Sequence, residues 1–199
     1  MAGTPTVSGS ADGTGSAARF YYPYAVAVDG SGNVYVADTY NFTVRKITPA
    51  GVVTTLAGTP GVSGSADGTG CTARFYGPFG IAVDSANNLY VGDYNNQIIR
   101  KITPTAVVTT LAGVVGSYGI ADGIGSAARF MNPADIAVAN SGTLYVADAC
   151  NHEIRNGVPA DLKITYTDGT TIVPNRTLDT YTNHGDQHRS AKPERCGCH

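Results

Sequence analysis

Ala-Asp-Gly begins at Ala11, Ala66 and Ala121, and Ala-Arg-Phe ends at Phe20, Phe75 and Phe130. Both spacings are 55 residues, and 30 of 48 positions are identical when residues 11–58 are laid on 66–113. Self-similarity at a fixed period restricts a chain to architectures in which one supersecondary unit packs on copies of itself. The centre of each copy is Val34-Tyr35-Val36-Ala37-Asp38, Leu89-Tyr90-Val91-Gly92-Asp93 or Leu144-Tyr145-Val146-Ala147-Asp148.

Each unit reads as four strands. Residues 25–29 are short and apolar, and the run Gly30-Ser31-Gly32-Asn33 ends them in a turn. Residues 34–38 are β-branched and aromatic, which favours strand. Asp38 and Asn41 bracket a tight turn, where short polar side chains bond nearby backbone N–H groups. Residues 43–48 alternate, with Val44 and Lys46 on one face and Arg45 and Ile47 on the other. Pro49-Ala50-Gly51 closes a hairpin onto residues 52–57. The second copy repeats the order at 81–84, 89–93, 98–103 and 107–112. Four antiparallel strands joined by short turns form a meander that cannot bury both faces alone. Copies ranged around an axis can, and the expected fold is all-β, with three four-stranded propeller blades.

The link between copies is rich in glycine, as in residues 58–70, and reads as an ordered, sharply turning loop. Phe20, Phe75 and Phe130 are its expected buried anchors, and Pro23, Pro78 and Pro133 set the start of the next first strand. A glycine-rich loop that cradles phosphate needs a following helix, and the pattern offers none.

The third copy departs after Arg155, where Asn156-Gly157-Val158-Pro159 replaces Lys-Ile-Thr-Pro. Residues 162–173 read as a separate hairpin turning at Asp168-Gly169, one arm of which can supply the missing fourth strand. Beyond Pro174 the chain is polar with little expected regular structure. The expected organisation is three blades over 1–158, then a hairpin and polar tail over 159–199.

Charged residues are only 14% of the chain, and the net charge is −2 with no basic run, which argues against a nucleic-acid binder. No stretch approaches the roughly 20 apolar residues of a membrane span. No signal peptide is visible. Low charge with abundant Gly, Ser, Thr and Tyr still points to an extracellular or cell-surface setting as the expectation.

The repeats resemble the NHL-repeat family of β-propellers, in the long, 55-residue form. The motifs are Pro-x-x-Ile-Ala-Val at Pro78 and Pro133, the Tyr-Val-Ala/Gly-Asp segment, and Asn96-Gln97-Ile98-Ile99-Arg100-Lys101-Ile102; Asn151-His152-Glu153 stands nearest the namesake position. The resemblance covers about residues 2–158. It implies a propeller and names no activity, because function on such scaffolds belongs to sites. Family propellers usually close with about six blades. Three blades therefore read as half of a six-bladed ring, with two apolar faces uncovered.

Among candidate site residues, Asp38, Asp93 and Asp148 recur and read as turn caps, or as a carboxylate ring able to hold a cation. Arg19, Arg74 and Arg129 recur and read as local partners of Asp12, Asp67 and Asp122, or as an anion site. The tail holds Cys196, Cys198 and His199, with His184 and His188 four apart, a weak metal-ligand set for zinc or another soft metal. No other cofactor is implied. Cys71 and Cys150 read as drift. Propeller lyases and hydrolases related to the family use metal held by several histidines, and the repeats contain only His152. A metal-dependent lyase or hydrolase is thus the less favoured alternative. The favoured reading is a non-enzymatic binding and assembly module that self-associates as a homodimeric ring and takes a protein or glycan ligand. A structural subunit of an extracellular filament is the second.

Overall fold

The computed structural model describes residues 2–158 and, as backbone, residues 163–164. The first blade comprises β1 (Gly13–Thr14), β2 (Pro23–Val28), β3 (Val34–Asp38), β4 (Thr43–Ile47) and β5 (Val52–Ala57). The second comprises β6 (Gly68–Thr69), β7 (Pro78–Val83), β8 (Leu89–Asp93), β9 (Ile98–Ile102) and β10 (Val107–Gly113). The third contains β11 (Gly123–Ile124), β12 (Pro133–Val138), β13 (Leu144–Asp148) and β14 (Glu153–Gly157), with β15 at Lys163–Ile164. The protein is all-β, and each of the first two sheets has the order β1-β5-β4-β3-β2 or its counterpart β6-β10-β9-β8-β7.

Two features go beyond the four-strand expectation. The first strand of each blade starts at its proline, where a missing N–H costs least. The link also adds a fifth, two-residue strand, with Gly13 opposite Val53 and Gly68 opposite Val108. The link then bridges neighbouring blades at their outer edges. Gly58 N–H donates to Gly70 O, and Gly70 N–H donates to Ala106 O. Gly70 sits at φ +53°, a left-handed conformation that glycine adopts without strain.

Past the drawn boundary at residue 158, β15 pairs with β11: Gly123 lies opposite Ile164, and Ile124 opposite Lys163. Val53 and Val52 hold those places in the first blade, so Lys163–Ile164 takes the fourth-strand position of the third blade. The turn at Asp168-Gly169, the polar tail and its candidate ligands His184, His188, Cys196, Cys198 and His199 lie outside the described residues.

The first-strand edges β2 and β12 each lie against β7, and the sheets fan out from there. One apolar cluster sits between blades one and two, with Tyr35, Ala37 and Val44 facing Ile81, Leu89 and Val91. Its copy between blades two and three joins Tyr90 and Ile99 to Ile136, Leu144 and Val146. Gly80 marks the tightest approach. A Cβ there would overlap the Asp135 backbone and lie 2.8 Å from Ala134 O. Gly80→Val is expected to cost about 1–3 kcal/mol, because backbone cannot yield as a flexible side chain can. The urea midpoint checks this; an unchanged midpoint would show that the approach is loose.

Candidate functional site

Three arginine side chains in the middle of the sheets are wholly buried: Arg45, Arg100 and Arg155, each 0% exposed. They sit on the third main strand of each blade, one per 55-residue repeat. Arg100 donates to Asp93 Oδ2 at 3.0 Å, to Asp67 Oδ1 at 2.9 Å, and to the carbonyls of Arg74 and Ala66. Its guanidinium lies 5.1 Å from the centroid of the Phe75 ring. Arg45 makes the same set with Asp38, Asp12 and Phe20. Arg155 does so with Asp148, Asp122 and Phe130.

Asp93 completes the unit. Its Oδ1 accepts from Tyr76 N–H at 2.8 Å, and its Oδ2 accepts from Asn96 Nδ2 as well as from Arg100. Asn96 also donates to Gly64 O in the link. One charged hub thus ties the long link to the blade it precedes. Burial pushes the Asp93 carboxyl up, opposed by the bonds from Asn96, Arg100 and the Tyr76 N–H; Asp38 and Asp148 shift the same way, also by burial.

The geometry revises the pairing drawn from sequence. Asp12, Asp67 and Asp122 bind Arg45, Arg100 and Arg155. Arg19, Arg74 and Arg129 instead donate to carbonyls of their own turn, Arg74 to Cys71 O and Ala73 O. One guanidinium nitrogen of each is thus held by backbone, and Arg129 Nε also donates to Ser117 Oγ. Asp38, Asp93 and Asp148 each accept from the asparagine three residues on and from a buried arginine. Their negative charge is already matched. Phe75 and Phe130 are 0% exposed, whereas Phe20, in the first described blade, is only half-buried. Among the described residues no group of three or more His, Cys, Asp or Glu could hold a metal ion. No helix among them is long and apolar enough to cross a membrane.

A second recurring device closes the turn between the first two main strands. Asp29 accepts from the Asn33 amide, the Asn33 and Ser31 N–H groups and the Tyr35 hydroxyl. The Asn33 side-chain bond leads in holding its carboxyl below the ordinary range. Burial, and then the bond to Asp29, push the Tyr35 phenol up to about 12; Tyr90 moves the same way. The folded chain therefore holds these protons more tightly than the unfolded chain, whose tyrosines titrate near about 10. This part of the stability is complete below about pH 10 and is lost as pH rises through the folded-state value. The Tyr35→Phe/Tyr90→Phe variant is expected to lose less Tm than the parent between about pH 9 and pH 11. Equal losses would place the alkaline sensitivity elsewhere.

The two ends of the array differ from its middle. Ile81 and Ile136 are 4% and 5% exposed, while their counterpart Val26 on the first blade is 63% exposed. Val44 and Ile99 are fully buried, while their counterpart Ile154 on the third blade is 53% exposed. Tyr35 and Tyr90 are buried; Tyr145 is 41% exposed. Each end thus shows one side of an interface that the molecule makes twice internally.

Sheets fanning from a common edge, with a long link tying each outer strand to the next blade, define a β-propeller array. The model of the NHL repeat matches residues 20–47 and 130–155. The human NHL repeat-containing protein 2 is 33% identical over 132 residues, covering 61% of this chain and 18% of that protein. A solved structural genomics protein of unknown function from Bacteroides thetaiotaomicron is 31% identical with a TM-score of 0.57, covering 63% of this chain and 32% of that one. An auxiliary nutrient binding protein from Bacteroides ovatus is 25% identical with a TM-score of 0.58, covering 66% and 36%. The matched segments lie in the first and third blades, so the chain carries NHL repeats in a β-propeller array. It spans a fifth or less of the curated relatives it matches and about a third of those two solved chains.

Proposed function

We propose that the protein is a non-enzymatic binding and assembly module whose two open blade faces close on a second copy, giving a six-bladed ring of two chains. The exposure of Val26 at one end and Ile154 at the other carries this reading, since their counterparts are buried in both internal interfaces. Such a side chain gains about 1.5–3 kcal/mol when removed from water. Support comes from the internal interfaces: the Val26 face corresponds to the Ile81 face, which packs on Tyr35, Ala37 and Val44. The Tyr145 and Ile154 face corresponds to that Tyr35 and Val44 surface. A likeness to a nutrient binding protein is in keeping with a binding role. Among the described residues, the matched acidic groups and the single histidine of the repeats favour binding over hydrolytic or lyase chemistry.

Light scattering on a sizing column tests the assembly. The expected mass is about 41 kDa, twice the 20.5 kDa of one chain. A compact monomer at micromolar concentration would sink the proposal. An open polymer would replace it with the filament reading, because the same face-to-face contact need not close.

A further inference from the structure

One end of the first two blades carries aromatic rings that the repeat does not need. Tyr22 lies flat on Tyr40, with ring centroids 4.8 Å apart, and Tyr21 meets Tyr40 edge-on at 5.2 Å. Alongside, Tyr24, Phe79 and Tyr94 form a row across the blade boundary, each successive pair 4.4 Å apart. Tyr21, Tyr22, Tyr24 and Tyr40 are 45–61% exposed. In the third blade their positions hold Met131, Asn132, Ala134 and Cys150. Positions that build the blade, such as Arg100, Asp93 and Phe75, recur in all three copies. These do not, so packing of the blade does not explain them.

We propose that this aromatic surface is a binding site for a neutral saccharide. The chemistry is selective. None of residues 20–24, 39–42, 76–80 and 94–97 is charged, and the buried Asp38 and Asp93 behind them are neutralised by Arg45 and Arg100. A phosphate or carboxylate ligand finds no cation there. A pyranose ring fits better. Its axial C–H bonds meet the negative face of a tyrosine ring, and its equatorial hydroxyls reach the phenol groups and the exposed Asn95 amide at the rim. Such contacts need rigid rings held in advance, and mutual stacking supplies that. The site rests on the binding-module reading. Tyr21 and Tyr22 border the open first-blade face, since their counterparts Tyr76 and Asn132 touch Phe42 and Gln97 of the preceding blade. Tyr24 reaches towards blade two, away from the open face that Val26 forms.

The test uses the full chain in native gels cast with xyloglucan, laminarin or galactomannan, with the solution mass of every sample measured in parallel. Retardation by at least one of these is expected, and a saccharide titration should change tyrosine emission, which no Trp obscures. Tyr24→Ala/Tyr40→Ala should weaken retardation by about tenfold with unchanged mass and Tm, since both side chains are exposed and Tyr24 leans on blade two of its own chain. No retardation in any gel overturns the proposal. So does retardation that survives the double variant, or binding of a proline-rich peptide at the same tyrosines in place of sugar. A monomeric mass with intact saccharide binding would remove the assembly and leave this site standing.

Discussion

Arg100→Met is expected to destabilise the protein by about 3–5 kcal/mol, the largest loss of any single change away from the cores. The reason is what remains. Without the guanidinium, Asp93 stays 0% exposed with one carboxylate oxygen short of its strongest partner, and the Asp67 tether to the link is gone. Methionine fills the volume beside Phe75, so the loss reports the stranded charge and not a cavity. Adding Asp93→Asn removes the charge and should recover part of the loss, which a double-mutant cycle reads directly. Urea unfolding checks both. A loss within about 0.5 kcal/mol, as for an ordinary surface substitution, would mean that the network does not hold the blade together.

Val26→Asp is expected to weaken self-association by about a hundredfold or more while leaving the Tm of the dissociated chain unchanged. Val26 is exposed in a single copy, so a carboxylate there costs the fold little. In the ring it would face Tyr145, Ala147 and Ile154 and be desolvated with no partner among those side chains, a penalty of several kcal/mol. Ile154→Asp should act equally from the other face. Analytical ultracentrifugation across a concentration series gives both constants. A Val26→Asp chain that still sediments as the parent does would place the contact elsewhere.

The fold was largely legible because its determinants recur. Ala-Asp-Gly, Ala-Arg-Phe and Tyr-Val-Ala/Gly-Asp mark each unit, and turn residues bound each main strand. The strand at Gly13–Thr14 was not legible: two residues inside a glycine-rich loop have no periodicity, and only pairing with Val52 and Val53 makes them a strand. The role of Arg45 was hidden for a different reason. Alternation with Val44 and Lys46 reads as a face choice, and an arginine is ordinarily assigned to solvent. Its presence in all three copies, always with an aspartate seven residues before it, was the signal available. Arg19 and its copies stand nearer in sequence to the link aspartates, so sequence proximity favours a pairing that the fold does not make. The exposed tyrosines of the first two blades carried a signal of the opposite kind, variation where the scaffold repeats.

The most direct measurement of the central claim, that the first-blade face of one chain meets the third-blade face of another, is the mass of an equimolar mixture of Val26→Asp and Ile154→Asp chains. Each alone spoils both contacts of a two-chain ring. Mixed, one chain keeps its third-blade face and the other its first-blade face, so one contact is restored. The account predicts two monomers that regain the dimer mass on mixing. A mixture that stays monomeric although the parent is a dimer would contradict it, because the two faces would then not be partners.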